Sequence, residues 1–364
     1  MSSDRVSLYG FINAKLRAKI GLMRQSKVIE NLLHASSLVE AVGVLRDSKY
    51  HAVAEAYDRT GDLQQMELVL LGMEISMYKE VARYLEGSSA DLINHLLEKI
   101  EIDNLKNTLR LWYSSIMRQR PIRHRSEYLF KEIILYPIDW TALINATSWD
   151  VVGESLKDSP YHATVTAFSE QDLQQSGLFP LETALDRMWY VHLMECVKTL
   201  KKADEEVATS MFLLEIDLRN LIMLVRYGWY HHMDADAVKK LLLPWGKVAS
   251  SKETEAYLRQ NASERNPHSI INRYYPGLEQ ETVPLHREST NYDEASLLET
   301  LKIEGYLAER RKAIYQRMLA QDPFTIGLSL SYFFLFKEET SMVKAILNGK
   351  YYGYEEAYIR GVLV

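Results

Sequence analysis

Residues 92–111 read LINHLLEKIEIDNLKNTLRL. Leu92, Ile93, Leu96, Leu97, Ile100, Leu105, Leu109 and Leu111 recur at steps of three and four, the spacing of one helix face. Inside the stretch lies Glu101-x-x-Asn104-Leu105, which runs on to Leu109-Arg110. At 100° per residue the acid and the asparagine share a face. Arg110, nine steps on, lies about 180° from the acid. Outward from this stretch, residues 181–200 and 297–319 show the same habit. Windows rich in Ala, Leu, Met, Glu and Lys favour helix further. Alternating apolar-polar runs are scarce, so the chain is expected to be all-α, in roughly a dozen or more helices. Loops are expected at 118–125, where Pro121 breaks the pattern, and at 261–293, rich in Asn, Ser, Glu and Pro.

The unit recurs. Asp217-x-x-Asn220-Leu221 runs on to Val225-Arg226, and Glu339-x-x-Met342-Val343 runs on to Leu347-Asn348, where the Asn and the Arg are lost. A second unit recurs ahead of each. Ala35-Ser36-Ser37 precedes Leu45-Arg46-Asp47, Ala146-Thr147-Ser148 precedes Leu156-Lys157-Asp158, and Ala249-Ser250-Ser251 precedes Leu258-Arg259-Gln260. The first two continue in step as Ser48-Lys49-Tyr50-His51 and Ser159-Pro160-Tyr161-His162. Ser37 with Glu40, and Ser250 with Glu253, have capping-box spacing; Ser148 has no such partner and is expected to cap alone. The copies lie about 105–120 residues apart, a domain per repeat and far beyond a solenoid unit of 20–50. Three related helical domains follow, near residues 1–124, 125–235 and 236–364. Glu101, Asn104, Arg110, Asp217, Asn220, Arg226 and Glu339 are the repeated positions. They are read as hydrogen-bonded struts, because an active site rarely comes as three partly eroded copies.

The chain has 364 residues, 47% hydrophobic and 25% charged, with 43 Lys and Arg against 49 Asp and Glu, for a net charge of −6. That sign argues against a nucleic-acid partner. A single cysteine, Cys196, excludes an intramolecular disulfide and a Cys-rich zinc site, and is read as a small core residue. No apolar run of about 18 residues occurs, so no membrane insertion is expected. The opening MSSDRVSLYG lacks the apolar core of a signal peptide, so a cytosolic location is expected. No phosphate loop, HExxH or GxSxG is present, and no cofactor or catalytic residue is expected. Tyr230-His231-His232-Met233-Asp234-Ala235-Asp236 offers imidazoles and carboxylates, but adjacent His residues face different ways and no further ligand set is spaced to complete a site, so the segment is read as a polar inter-domain loop. The first domain is the basic end: Lys15 and Arg17 lie in a helical segment, and Arg118, Arg120 and Arg123 flank Pro121. With the acidic residues 279–304, this polarity suits docking between protein surfaces.

The chain resembles the C subunit of the archaeal and bacterial V-type (A-type) ATPases, related to the d subunit of the eukaryotic V-ATPase. Tyr9, Asn13, Ala14, Arg17 and Ala18 are similar to that family's Tyr-x-x-x-Asn-Ala-x-x-Arg-Ala opening. Leu45-Arg46-Asp47-Ser48-Lys49-Tyr50 resembles a first-domain segment, and the two acid-x-x-Asn-Leu helices recur there. The end is similar from Asp322-Pro323-Phe324 through Tyr332 and Phe336-Lys337-Glu338-Glu339 to Gly353, Ile359-Arg360 and Leu363. The chain departs at Met342-Val343-Lys344, where the family has Asn-Leu-Arg. It is also read as longer than many relatives, with the excess in loops. The resemblance implies a pseudo-threefold funnel of three helical domains and a non-catalytic rotor part. In that family the part joins the shaft of D and F subunits to the membrane ring of c subunits, on the cytoplasmic side. The alternative left by the residues themselves is a cytosolic helical-repeat adaptor with no ATPase connection.

Overall fold

A computed structural model describes residues 3–120, 125–277, 292–319 and 322–363. Among them the secondary structure is helical and contains no strand, so the fold is all-α. The helices are α1 (Ser3–Gln25), α2 (Val28–His34), α3 (Leu38–Arg46), α4 (His51–Thr60), α5 (Leu63–Ala82), α6 (Gly87–Ile116), α7 (Trp140–Ile144), α8 (Trp149–Ser155), α9 (His162–Thr166), α10 (Glu170–Ser176), α11 (Phe179–Lys198), α12 (Lys202–Met223), α13 (Ala235–Leu241), α14 (Lys252–Arg259), α15 (Pro267–Tyr274), α16 (Tyr292–Met318), α17 (Gly327–Tyr351) and α18 (Glu356–Leu363).

Ser37, Ser148 and Ser251 each cap a helix, accepting from the backbone N–H of Glu40, Val151 and Thr254. The repeated serines therefore mark equivalent helix starts. The expected capping boxes take a different form. The Glu40 carboxylate reaches one residue further back, to the backbone N–H and hydroxyl of Ser36 at 2.7 Å each. In the third copy Ser251 caps in place of Ser250, because α14 starts one residue later, and Glu253 pairs with Arg273 at 3.2 Å. Helix ends also repeat: the hydroxyls of Ser48 and Ser159 close onto the carbonyls of Leu45 and Leu156 at 2.8 and 2.7 Å.

The segment 261–293 is more ordered than expected in its first half. Asn266 accepts from the His268 N–H and Pro267 takes the first helical position, so α15 forms there; residues 278–291 lie outside the described set. Directly after α12, Leu224–Tyr230 is a π-helix that the apolar spacing does not distinguish from α. Its wider turn frees carbonyls. The buried guanidinium of Arg265 donates from Nη1 to the Gly228 carbonyl at 2.8 Å, and the Tyr257 hydroxyl donates to that of Leu224 at 3.3 Å.

The chain forms two compact units: Met1–Lys201 with Tyr332–Ile359, and Lys202–Ser331 with Arg360–Val364. In the first, α5 packs on α6, and α6 on α7 and α11. Trp112 and Trp140 are completely enclosed, and Trp112 Nε1 donates to the Ala146 carbonyl at 2.8 Å. In the second, Leu221, Leu224, Val225, Val238, Val248, Ile271 and Ile303 form a continuous apolar core.

Candidate functional site

The acid-x-x-Asn units grip the segment that enters the following copy. Asn104 is buried and donates to the Phe130 carbonyl at 2.9 Å. Three residues earlier on α6, the buried Glu101 carboxylate accepts from the backbone N–H of Leu135 and Tyr136 at 3.0 Å each and from the Tyr161 hydroxyl at 2.7 Å. Asn220 on α12 is also buried; it donates to the Leu243 carbonyl at 3.0 Å and accepts from the Leu243 N–H at 2.9 Å. Asp217 accepts from the N–H of Lys247 and Val248 at 2.8 and 2.9 Å. So the asparagine holds the early part of a connecting segment and the acid holds a point about five residues later. In the third copy Met342 replaces the asparagine, but the acid persists. Glu339 accepts from Lys49 Nζ at 2.8 Å and lies against the buried Tyr50. Burial pushes the Glu101 carboxyl up, against the bonds from Leu135, Tyr161 and Tyr136, and the Glu98 charge adds to the rise. The Tyr161 phenol is raised by burial and by Glu101 and Glu98.

The repeated arginines turn to the other side, as the helical arithmetic requires, and each meets a glutamate of the next copy. Arg110 donates to Glu182 through Nε at 2.6 Å and Nη2 at 2.7 Å. Arg226 forms the same fork on Glu304. Where the third copy has Asn348, its Nδ2 donates to Glu67 at 2.8 Å, and Lys344 reaches the other Glu67 oxygen at 2.6 Å. The position that looks eroded in sequence keeps its acceptor. Glu182, Glu304 and Glu67 are the partners that sequence reading missed, since a lone Glu in a helix carries no mark separating it from a solvated one. Beside the first fork, Lys106 bridges Asp186 at 2.7 Å and Asp103 at 3.0 Å.

The remaining candidates are engaged structurally. Asp234 caps α13, His232 faces the Ala262 carbonyl at 3.2 Å, and the His231 ring packs on Tyr227 and Tyr230. Cys196 is half-buried on α11, not a full core residue; burial and the charges of Asp91, Glu98 and Glu195 push its thiol up. That direction disfavours the nucleophilic thiolate.

Of the basic residues, Lys15 pairs with Glu80 at 2.6 Å and donates to the Tyr84 hydroxyl at 2.9 Å, while Arg17 is exposed. Arg118 and Arg120 are exposed just past α6, where Gln119 adopts a positive φ of 50°, and Arg118 lies over the Tyr113 ring at 5.2 Å. Arg123 lies outside the described residues, as does much of the acidic stretch 279–304. The two basic sets thus sit on different elements. In the first unit, an open cleft of about 990 Å³ is lined by Lys19, Leu22, Met23, Val28, Lys49 and Phe336, among others. A second, of about 710 Å³, shares Lys19, Tyr332 and Phe336 with it. Open walls that mix apolar side chains with charges of both signs, among them Glu40, Asp47 and Glu80, suit a protein surface better than a small metabolite.

A family model described as ATP synthase (C/AC39) subunit matches residues 12–362. The chain belongs to that family, and is a non-catalytic subunit of a rotary ATPase. It is 22% identical to the C subunit of the A-type ATP synthase of Methanococcoides burtonii over 363 residues, covering 100% of this chain and 96% of that one. It is 22% identical to the same-named protein of Methanosphaera stadtmanae, covering 94% and 84%, and 19% identical to that of Methanocaldococcus jannaschii, covering 98% and 86%. These relatives are not shorter than the chain, so the expected excess length is not found against them. Among the described residues, no helix is long and apolar enough to cross a membrane.

Proposed function

We propose that the chain is the central-stalk coupler of a V/A-type ATPase, receiving the shaft of D and F subunits and resting on the membrane ring of c subunits at the cytoplasmic face. Torque passes through it during ion transport or ATP synthesis. In this reading three related domains, near 1–124, 125–235 and 236–364, form a pseudo-threefold funnel. One observation supports it most: a clamp of the same kind joins each copy to another. Glu101 and Arg110 of the first copy reach Tyr161 and Glu182 of the second. Asp217 and Arg226 of the second reach Val248 and Glu304 of the third. Glu339 and Asn348 of the third reach Lys49 and Glu67 of the first. Charge-assisted bonds of this kind, several of them to backbone, stiffen each junction. A torque coupler needs that stiffness and wide polar surfaces. Titrating the purified chain with the purified D–F shaft, beside an ATPase assay of the chain alone, tests the assignment. Saturable binding without turnover is expected. No binding at low salt would defeat it and leave a rotary-ATPase subunit with a place other than the central stalk.

A further inference from the structure

The first helix is apolar on two opposite faces. On one, Tyr9, Ile12, Leu16 and Ile20 are buried. On the other, Phe11 and Leu22 are 66% and 68% exposed, with exposed Ala14 and Ala18 between them. Positions 11, 14, 18 and 22 advance by three, four and four, close to the about 3.6 residues of a helical turn, so they form one seam along the helix. Phe11 is anchored, its ring 5.3 Å from that of Tyr84. Gly21 extends the shallow middle of the seam; a β-carbon there would meet nothing. Surface helices of soluble domains carry polar residues on the side away from the core, and a helix apolar all round is normally covered.

Along the seam α1 itself carries charge of one sign, while Glu40 and Asp47 line the cleft beside Leu22. Residues 6–25 contain Lys15, Arg17, Lys19 and Arg24 and no acid. Lys15 and Lys19 share a single carboxylate, that of Glu80, at 2.6 Å each. Arg17 and Arg24 are exposed.

We propose that the seam Phe11–Ala14–Ala18–Leu22 docks an α-helix of a partner protein whose own seam is apolar and whose flanks carry Asp and Glu. The alanines let a second helix approach to the short end of the usual 8–10 Å interaxial range, while Phe11 and Leu22 act as knobs at either end. A second copy of this chain is a poor occupant, because pairing α1 with itself sets Arg17 and Arg24 among the same unbalanced cations. An anionic lipid surface would satisfy the cations, but the Ala-Ala-Gly middle offers it little apolar area to bury. The inference stands on α1 alone and does not depend on the partner being the D–F shaft.

The test uses the purified full chain and two synthetic helices of about three heptads, identical in their Leu seams but flanked by Glu in one and Lys in the other. At low salt the Glu-flanked helix is expected to bind about tenfold tighter or more than its Lys twin. The double variant Phe11→Ser with Leu22→Ser, whose sites are largely solvent-facing, is expected to keep its helical signal and a cooperative melt, lowered by a few degrees for the lost Tyr84 contact, while losing that binding by about tenfold. Equal binding of the two helices, or a preference that the double variant retains, would overturn the proposal. So would variant-sensitive sedimentation with phosphatidylglycerol vesicles, or a variant-sensitive dimer in sedimentation equilibrium, where the Glu-flanked helix fails to bind. A chain that ignores the D–F shaft yet selects the Glu-flanked helix would sink the coupler assignment and leave this one intact.

Discussion

Gly246 faces the carboxylate of Asp217 so closely that a β-carbon at 246 would sit 2.2 Å from Oδ1. Its φ of 82° is also one that side chains disfavour. The glycine lets the next two residues, Lys247 and Val248, turn their N–H groups onto that carboxylate. Gly246→Ala is therefore expected to cost roughly 3 kcal/mol or more, combining backbone strain with a broken clamp. In an Asp217→Ala background only the strain remains, so the added loss should fall to roughly 1–2 kcal/mol. Urea melts of the four proteins in the cycle provide the measurement; an equal cost in both backgrounds would mean that the contact does not matter.

Asn104 and Asn220 differ in how much backbone they satisfy. Asn104 serves one carbonyl, and Asn220 serves both the N–H and the carbonyl of Leu243. Replacing either by Leu strands buried polar groups at about 1–3 kcal/mol. Asn220→Leu should fall at the upper end and Asn104→Leu at the lower, as read by chemical denaturation. The reverse order would contradict the bond pattern.

The pH dependence of stability carries the mark of Glu101. Its carboxyl is raised by burial in the folded chain, so the folded state holds the proton more tightly than the unfolded one. The stability linked to that proton is fully present below the ordinary carboxylate range near about pH 4 and is lost as pH rises through the raised value. Glu101→Gln removes the titration. The difference in unfolding free energy between wild type and variant should therefore move in the variant's favour as pH climbs from about 4. A pH-independent difference would show that the rise is not expressed in stability.

The proposed binding of a D–F shaft should weaken with salt to the extent that Lys15, Arg17 or Arg123 contributes, because the Debye length shrinks from about 10 Å at 0.1 M to about 3 Å at 1 M. Titrations at both ionic strengths decide this. Salt-insensitive binding would remove the electrostatic contribution and leave apolar surface such as Phe11 and Leu22 as the contact.

Helix content, the caps at Ser37 and Ser148 and the buried asparagines were legible because each is local: periodicity, a hydroxyl before a helix, an acid three residues from an amide; the third cap was misplaced by one residue, at Ser250 for Ser251. The other half of every clamp was not. Glu67, Glu182 and Glu304 lie far in sequence from Asn348, Arg110 and Arg226, and nothing in a single glutamate reveals whether a guanidinium faces it. The apparent erosion at Asn348 misled for the same reason, since Lys344 and Asn348 share the task that one arginine performs elsewhere. The π-turn at Leu224–Tyr230 escaped notice because the side chains that stabilise it, Tyr257 and Arg265, are also remote in sequence.

The contact between Glu339 and Lys49 spans 290 residues, and it has a consequence for synthesis. The first compact unit draws on Tyr332–Ile359 as well as on the amino-terminal half. On a ribosome adding about 5–20 residues per second, α1 to α11 emerge long before α17 exists. During that interval Lys49, Tyr50 and Glu67 wait with their partners unmade, and the amino-terminal helices cannot reach their final stability by themselves. Completion is a late, long-range closure, the kind of step that loop entropy slows. A nascent chain stalled before residue 332 is thus a ready client for chaperones, and a nonsense codon near the end of the message removes the keystone of the beginning.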